Sequence, residues 1–474
     1  MKWVTAWWNT PPTRRSKPKP RFGRLTLEKL DDRVLPAVLT WTAAADSTWQ
    51  TDSSWTDLMG MHAVPGVFDE VHFDNHSSAK CTLTADAACM RLYTDSLFTG
   101  TIDLGLRTLT VNADSRIGGG TAGALNGGNI NDGILTLAGG ILYQSGAILG
   151  TTYIDIAPAS TSGWATYSIS SGSINATSGT ALDTTVRSGG EFDVAGNVTI
   201  GNNLKILSGG VGNFTPCITT NAFIENGAVI TVSSGGLLEL EGASLMPASD
   251  STYISNSGTV QKTNTTWDTI VYFGIRNEAS TAVLSAQAGS VEFRNGSPGQ
   301  VSSSIYQVDG ATKIYNGATL KVSRAYTQEA GKFSAMGVAS GTSTSTFRAE
   351  NLAQSINING GSVVLGDGTT NHRTTLDARG CYFKFGATSS LKFGINVGAL
   401  DNDVLKVNQV SINPMATAVL DTTDLANVPS QNWVFLDGNK PTDESIVGAF
   451  LKDVGTTGYT MSRDPKNNLY RLNT

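Results

Sequence analysis

Three tryptophans stand close together near the start of the chain: Trp41, Trp49 and Trp55. Pro65-Gly66 and then Asp69-Glu70-Val71-His72-Phe73-Asp74 follow them. Indoles at this spacing suit two kinds of chemistry. They can cover an exposed apolar end and an unpaired strand edge. Alternatively, they can form an aromatic platform that stacks on sugar rings, which makes Trp41, Trp49 and Trp55 the candidate ligand-binding residues.

Other reactive residue types do not form a recognised constellation. The four histidines are His62, His72, His76 and His372. His72 and His76 lie near Asp69 and Asp74, but the pattern is not an HExxH helix. Asp401-Asn402-Asp403 offers oxygen ligands for calcium, yet one DxD is a weak signal. Cys81 and Cys89 could meet across a turn, while Cys217 and Cys381 look isolated. With no CxxC spacing for zinc, all four read as small buried hydrophobes. The chain lacks a GxSxG elbow, a P-loop, a strand-linked GxGxxG and the calcium-binding Gly-Gly-x-Gly-x-Asp repeat. Gly118-Gly119-Gly120 reads as loop. The expectation is no catalytic residue, no metal and no cofactor.

The elements that must carry these residues announce themselves by repetition. A glycine pair followed by alternating apolar and polar residues recurs at Gly139-Gly140, Gly189-Gly190, Gly209-Gly210, Gly235-Gly236 and Gly360-Gly361. Turn-plus-short-strand units near a twenty-residue spacing mark a β-solenoid. Strands of four to six residues are expected to include Ile134–Leu137, Val198–Ile200, Lys205–Leu207, Val229–Val232, Val291–Phe293 and Leu320–Val322. In Leu238-Glu239-Leu240-Glu241 the leucines should point inward and the acids outward. Val291-Glu292-Phe293-Arg294 and Ile154-Asp155-Ile156 repeat that pattern, and such outward charges read as a solvated face. Asn residues beside glycines, as at Asn126, Asn226, Asn295 and Asn316, suit left-handed corners and could stack into ladders. The fold class is therefore all-β, a right-handed single-stranded parallel β-helix with N-terminal and C-terminal β caps. At about twenty residues and about 4.8 Å per turn, residues 112–397 would make about fourteen turns.

Charge divides the chain. Up to Arg33 there are nine basic residues and three acidic ones, leaving 24 basic against 36 acidic beyond it. An acidic body disfavours nucleic acid and anionic lipid as partners. No run of ~18–20 apolar residues is present to cross a bilayer as a helix. The expected organisation is a basic, export-associated segment at 1–37 and a Trp-rich cap with first turns at 38–111. The solenoid body then spans 112–397, with final turns and a cap at 398–474.

Leu25-Thr26-Leu27-Glu28-Lys29-Leu30-Asp31-Asp32-Arg33-Val34-Leu35-Pro36-Ala37 resembles the Leu-Glu-x-Leu-Glu-Asp-Arg-x-x-Pro-Ala segment of large exported planctomycete proteins, with Asp31 in place of Glu. The resemblance implies export. The tryptophan, Pro-Gly and Asp-x-Val-x-Phe order is similar to the opening unit of autotransporter-passenger-like surface proteins. Tyr326-Thr327-Gln328-Glu329-Ala330-Gly331 resembles the Tyr-x-Gln-x-x-Gly unit of their repeats, and the stretch after Leu391 resembles their final turns. With no barrel pattern before Thr474, a self-translocating autotransporter is not expected.

These readings imply an exported, non-enzymatic, structural or adhesin-like solenoid, secreted or at the cell surface. Its expected partners are extracellular glycans or other surface components. The rival readings are a glycan-binding module and a β-helix polysaccharide lyase or glycosidase. The lyase needs clustered outward carboxylates with an Arg or Lys base, and the glycosidase needs two carboxylates at catalytic separation.

Overall fold

The computed structural model describes residues 36–473 apart from several stretches, the longest being 119–128, 175–182, 295–302, 422–432 and 439–459. Residues 1–35 of the export-associated segment, 1–37, lie outside the described residues, as do Cys217 and His372. The only helix among the described residues is a single 3-10 turn, Asp52–Ser54.

Alternating short runs form strands and the Gly, Asn and Ser runs between them form corners. Each turn of chain lays down three strands, on faces called A, B and C. One turn places Val211–Phe214 on face A, Asn221–Ile224 on face B and Val229–Val232 on face C. The next places Leu237–Leu240, Ser244–Pro247 and Tyr253–Asn256 on the same three faces. Each strand pairs in parallel with its counterpart one turn later, as Leu237 with Thr259, Leu245 with Val271 and Ile254 with Ile275. The result is a parallel β-solenoid. Inward side chains such as Leu238, Leu240, Ile230 and Val232 join one apolar core that runs from Leu39 to Ala416. Parallel strands buried on one side can alternate because the other side faces water.

Turns are longer than twenty residues in many places. One turn separates Asp183 from Asn203, 20 residues on, and another separates Glu329 from Asn359, 30 residues on. Residues 112–397 therefore make fewer turns than a uniform twenty-residue repeat implies. The extra residues lie in corners, where added loop length costs little.

The glycine pairs sit at the corner that leads from face C to face A. Gly189, Gly209 and Gly235 adopt φ of +77°, +75° and +79°. They stack directly: the Gly189 N–H donates to the Gly209 carbonyl at 3.0 Å, and the Gly209 N–H to the Gly235 carbonyl at 2.8 Å. Further along, Gly310, Gly331 and Gly361 occupy the same corner, and a Cβ on Gly331 would lie 2.1 Å from the Gly310 carbonyl oxygen. Left-handed φ and close backbone approach both require glycine there.

Inside this corner runs a ladder of buried amides. Asn256 Nδ2 donates to Asn277 Oδ1 at 2.8 Å. Gln307 Nε2 donates to the Ala330 carbonyl at 3.1 Å, and Gln328 Nε2 to the Gly360 carbonyl at 3.0 Å. The Tyr326 hydroxyl donates to Gln307 Oε1 and Gln328 Oε1, each at 3.1 Å. This explains the Tyr-x-Gln-x-x-Gly spacing: the tyrosine orients the glutamine, and the glutamine satisfies corner carbonyls that would otherwise be buried unpaired. These are not the asparagines beside glycines that the sequence pointed to: Asn126, Asn226 and Asn295 lie outside the described residues. Asn316, beside Gly317, accepts the Thr344 N–H at 2.8 Å.

Pairing changes sense at both ends. Val38–Trp41 pairs in parallel with Glu70–Phe73 and antiparallel with Trp55–Asp57. Parallel pairing continues past residue 397 through Val404–Ile412 and Thr417–Asp421. Leu469–Asn473 then pairs antiparallel with Trp433–Gly438 and Thr460–Asp464.

The stacked corner generates a prediction. Gly317 has φ +76° with open space around it, so Gly317→Ala should cost about 1–2 kcal/mol, the left-handed penalty alone. Gly331→Ala adds a backbone collision and should cost roughly twice as much or more. Urea denaturation of both variants checks this, and equal midpoints would contradict the close approach.

Candidate functional site

The tryptophan trio folds inward. Trp41, Trp49 and Trp55 are all buried in the first turn. Trp55 meets Trp41 and Trp49 edge-on, each at 4.9 Å between ring centroids, and Phe73 at 5.4 Å. Trp41 Nε1 donates to the Ala79 carbonyl at 3.0 Å, and Trp55 Nε1 to the Trp49 carbonyl at 2.7 Å. No indole face is open to a sugar, so the glycan-platform assignment of Trp41, Trp49 and Trp55 is corrected: the alternation that places Trp41 inward beside Leu39 places the whole cluster in the core. Trp49→Ala should cost roughly 3–5 kcal/mol through the cavity it leaves. Thermal denaturation tests this, and an unchanged midpoint would show the ring is peripheral.

The three described histidines serve local structure. His72 Nε2 lies 2.7 Å from Glu70 Oε1, and His76 Nδ1 lies 2.6 Å from Asp74 Oδ1. His62 Nδ1 lies 2.6 Å from the Trp55 carbonyl. Asp403 is buried and accepts the Thr374 N–H at 2.7 Å. Among the described residues no three His, Cys, Asp or Glu side chains gather as a metal site.

Cys81, Cys89 and Cys381 are free and buried, the first on face B, the second on face C and the third at the corner between those faces. Burial raises the thiol pKa of all three, that of Cys381 to about 12. Burial likewise raises Tyr167 and Tyr326. The folded state thus keeps protons that the unfolded chain would release above its ordinary thiol pKa of about 8.5. Stability from these groups is complete below that pH and is lost as pH rises toward the folded values. Urea midpoints should fall between pH 8 and pH 10, and a flat profile would contradict the burial.

On the outside, most carboxylates are engaged by donors from neighbouring turns. On face A, Ser168 Oγ donates to Asp193 Oδ2 at 3.0 Å, and Asn213 Nδ2 to Glu191 Oε1 at 3.3 Å. Gln261 Nε2 donates to Glu239 Oε1 at 2.7 Å. On face C, Arg187 pairs with Asp155 at 2.7 Å and Lys205 with Asp183 at 2.5 Å. Such exposed pairs contribute about 0–1 kcal/mol each, so their effect is to blunt charge more than to hold the fold.

Face B differs, and sequence reasoning missed it. Arg294 stacks over the Tyr272 ring at 4.8 Å and donates to its hydroxyl at 3.0 Å. The same guanidinium pairs with the nearly buried Glu292 at 2.7 Å. One turn on, Lys321 occupies the column of Glu292 and reaches Asp268 at 3.4 Å. Arg348 follows in register with Lys321. Arg348 and Arg379 both hold Asp377, at 3.5 and 2.8 Å. Asp377 is kept below the usual carboxylate range, first by the hydrogen bond from Arg379 and further by the charge of Arg348. Alternation along Val291-Glu292-Phe293-Arg294 shows that its charges point outward. Only the register between turns shows that cations of successive turns gather in two adjacent columns of this face.

The fold defines the chain as a parallel β-solenoid protein. No family model and no curated protein matches it. Among solved structures it is similar to a TibC-catalyzed, hyper-glycosylated fragment of TibA. The identity is 17% and the TM-score 0.26, covering 70% of this chain and 98% of that one. A likeness at that level transfers no residue from one protein to the other.

Proposed function

We propose that this chain is an exported, non-enzymatic solenoid of the cell surface or extracellular space, adhesin-like in that it displays long repetitive faces for contact. The observation that carries the reading is the treatment of outward charge. The carboxylates of faces A and C are met individually by Ser, Asn, Gln, Lys or Arg of adjacent turns, as at Asp193, Glu239, Asp155 and Asp183. Dispersed, partnered carboxylates favour a stable contact surface over acid-base catalysis, which needs groups held apart in pKa and free to exchange protons. The export segment supports the location through its resemblance to planctomycete exported proteins, and the solenoid itself has the passenger-like architecture which that setting would suit.

Fractionation of the source cells with an antibody tests the location: signal is expected in the surface or extracellular fraction, and a purely cytosolic signal would contradict it. Incubating the purified protein with polyuronates should yield no shortened chains. Release of oligosaccharides would replace this reading with the lyase.

A further inference from the structure

Face B carries an arrangement that a passive surface does not need. Outward residues of successive turns there form columns that begin apolar. Phe223 is 42% exposed and lies in register with Met246, while Trp267, 40% exposed, rests against Gly242 at the corner that leads into face B. Tyr272 follows Val271, which pairs with Leu245, so it continues the Met246 column. Arg294 continues the Tyr272 column, and the neighbouring column, that of Glu292, turns basic at Lys321 and Arg348 with Arg379 one turn further; these four side chains are 34%, 34%, 44% and 54% exposed. This occurs on a body with 24 basic against 36 acidic residues beyond Arg33. Two carboxylates beside these cations, Glu292 and Asp377, are each only 10% exposed and hold the guanidiniums from below. Buried acids that fix exposed guanidiniums lower the entropy lost when those forks bind an anion.

We propose that face B, from the Trp267–Tyr272 region to Arg379, is a binding track for an acidic polysaccharide laid along successive turns. A sugar ring stacks on Trp267, and Tyr272 holds the Arg294 guanidinium in place for the anion. Uronate carboxylates meet Arg294, Lys321, Arg348 and Arg379. Neighbouring turns rise about 4.8 Å, so each turn presents one contact to an extended chain. The acids interleaved with the cations suit a polymer of modest charge density. A nucleic acid strand carries more charge, and the acidic body disfavours it. The proposal gives a ligand class to the contact surface inferred above, and it rests on that reading only for where the polysaccharide is met. Binding by the purified protein succeeds or fails wherever the protein resides.

Affinity electrophoresis of the full chain through gels holding polygalacturonate, dextran, polyglutamate or oligo-dT tests it. Polygalacturonate should retard the protein, and the other three should not match it. Arg294→Ala combined with Arg348→Ala should weaken retention about tenfold or more, the loss expected for removing charged hydrogen bonds. Tyr272→Ala should weaken it as well. Lys205→Ala on face C should leave it unchanged. Should the double alanine variant fail to fold by circular dichroism, Arg294→Lys with Arg348→Lys keeps the charge but not the fork, and still lowers retention. Absence of retention, equal retention by polyglutamate or oligo-dT, or an equal loss from Lys205→Ala would overturn the proposal.

Discussion

Everything in this protein depends on the close stacking of one corner upon the next. At the corner between faces C and A, backbone meets backbone through glycines such as Gly209 and Gly331, where a Cβ would collide with the turn beside it. That contact lets the strands on all three faces pair in parallel without a gap. It also creates a line of carbonyls hidden from water. Asn256, Asn277, Gln307 and Gln328 fill the interior beside that line, and the glutamines donate to its carbonyls. Backbone packing and side-chain amides thus solve one problem together, since a buried unpaired carbonyl costs more than a hydrogen bond gains.

Stacking also converts sequence alternation into long surface columns. An outward residue is never alone, because the residues one turn before and after lie about 4.8 Å away. Like charges in a column would repel at that distance. The sequence answers with Ser, Asn and Gln beside acids on face A, and with Lys or Arg beside acids on face C. Face B breaks the rule by lining up cations and setting acids beneath them. A departure from a pattern kept elsewhere is where function is best sought, since local rules yield most often at sites of binding.

Much of this was legible before the structure. The glycine pairs located the corner, and Leu238, Glu239 and Leu240 showed which way each residue faces. For the tryptophans, spacing alone allowed both a cap and a sugar platform. The platform reading stayed open because the pairing of Val38–Trp41 with Trp55–Asp57 is antiparallel and closes the cluster in a way spacing does not reveal. The buried amides Gln307 and Gln328 are not the asparagines expected beside glycines, and their long side chains reach the corner from the strand. The face-B track was hidden for a different reason. Turns of the solenoid body run from 20 to 31 residues, so Lys321 and Arg348 cannot be aligned by counting. Register between turns is set by three-dimensional pairing, and columns appear only once it is known.

That register is the central claim, and a cross-link tests it most directly. Thr231 and Ser255 are outward partners on adjacent turns of face C, and Arg276 lies one turn further in the same column. With Thr231→Cys and Ser255→Cys, mild oxidation should give an intramolecular disulfide, because paired Cα atoms fall within the ~4.4–6.8 Å that the bond allows. Thr231→Cys with Arg276→Cys should give none. A bond in the second pair, or none in the first, would contradict the parallel register on which the corner, the columns and the face-B track depend.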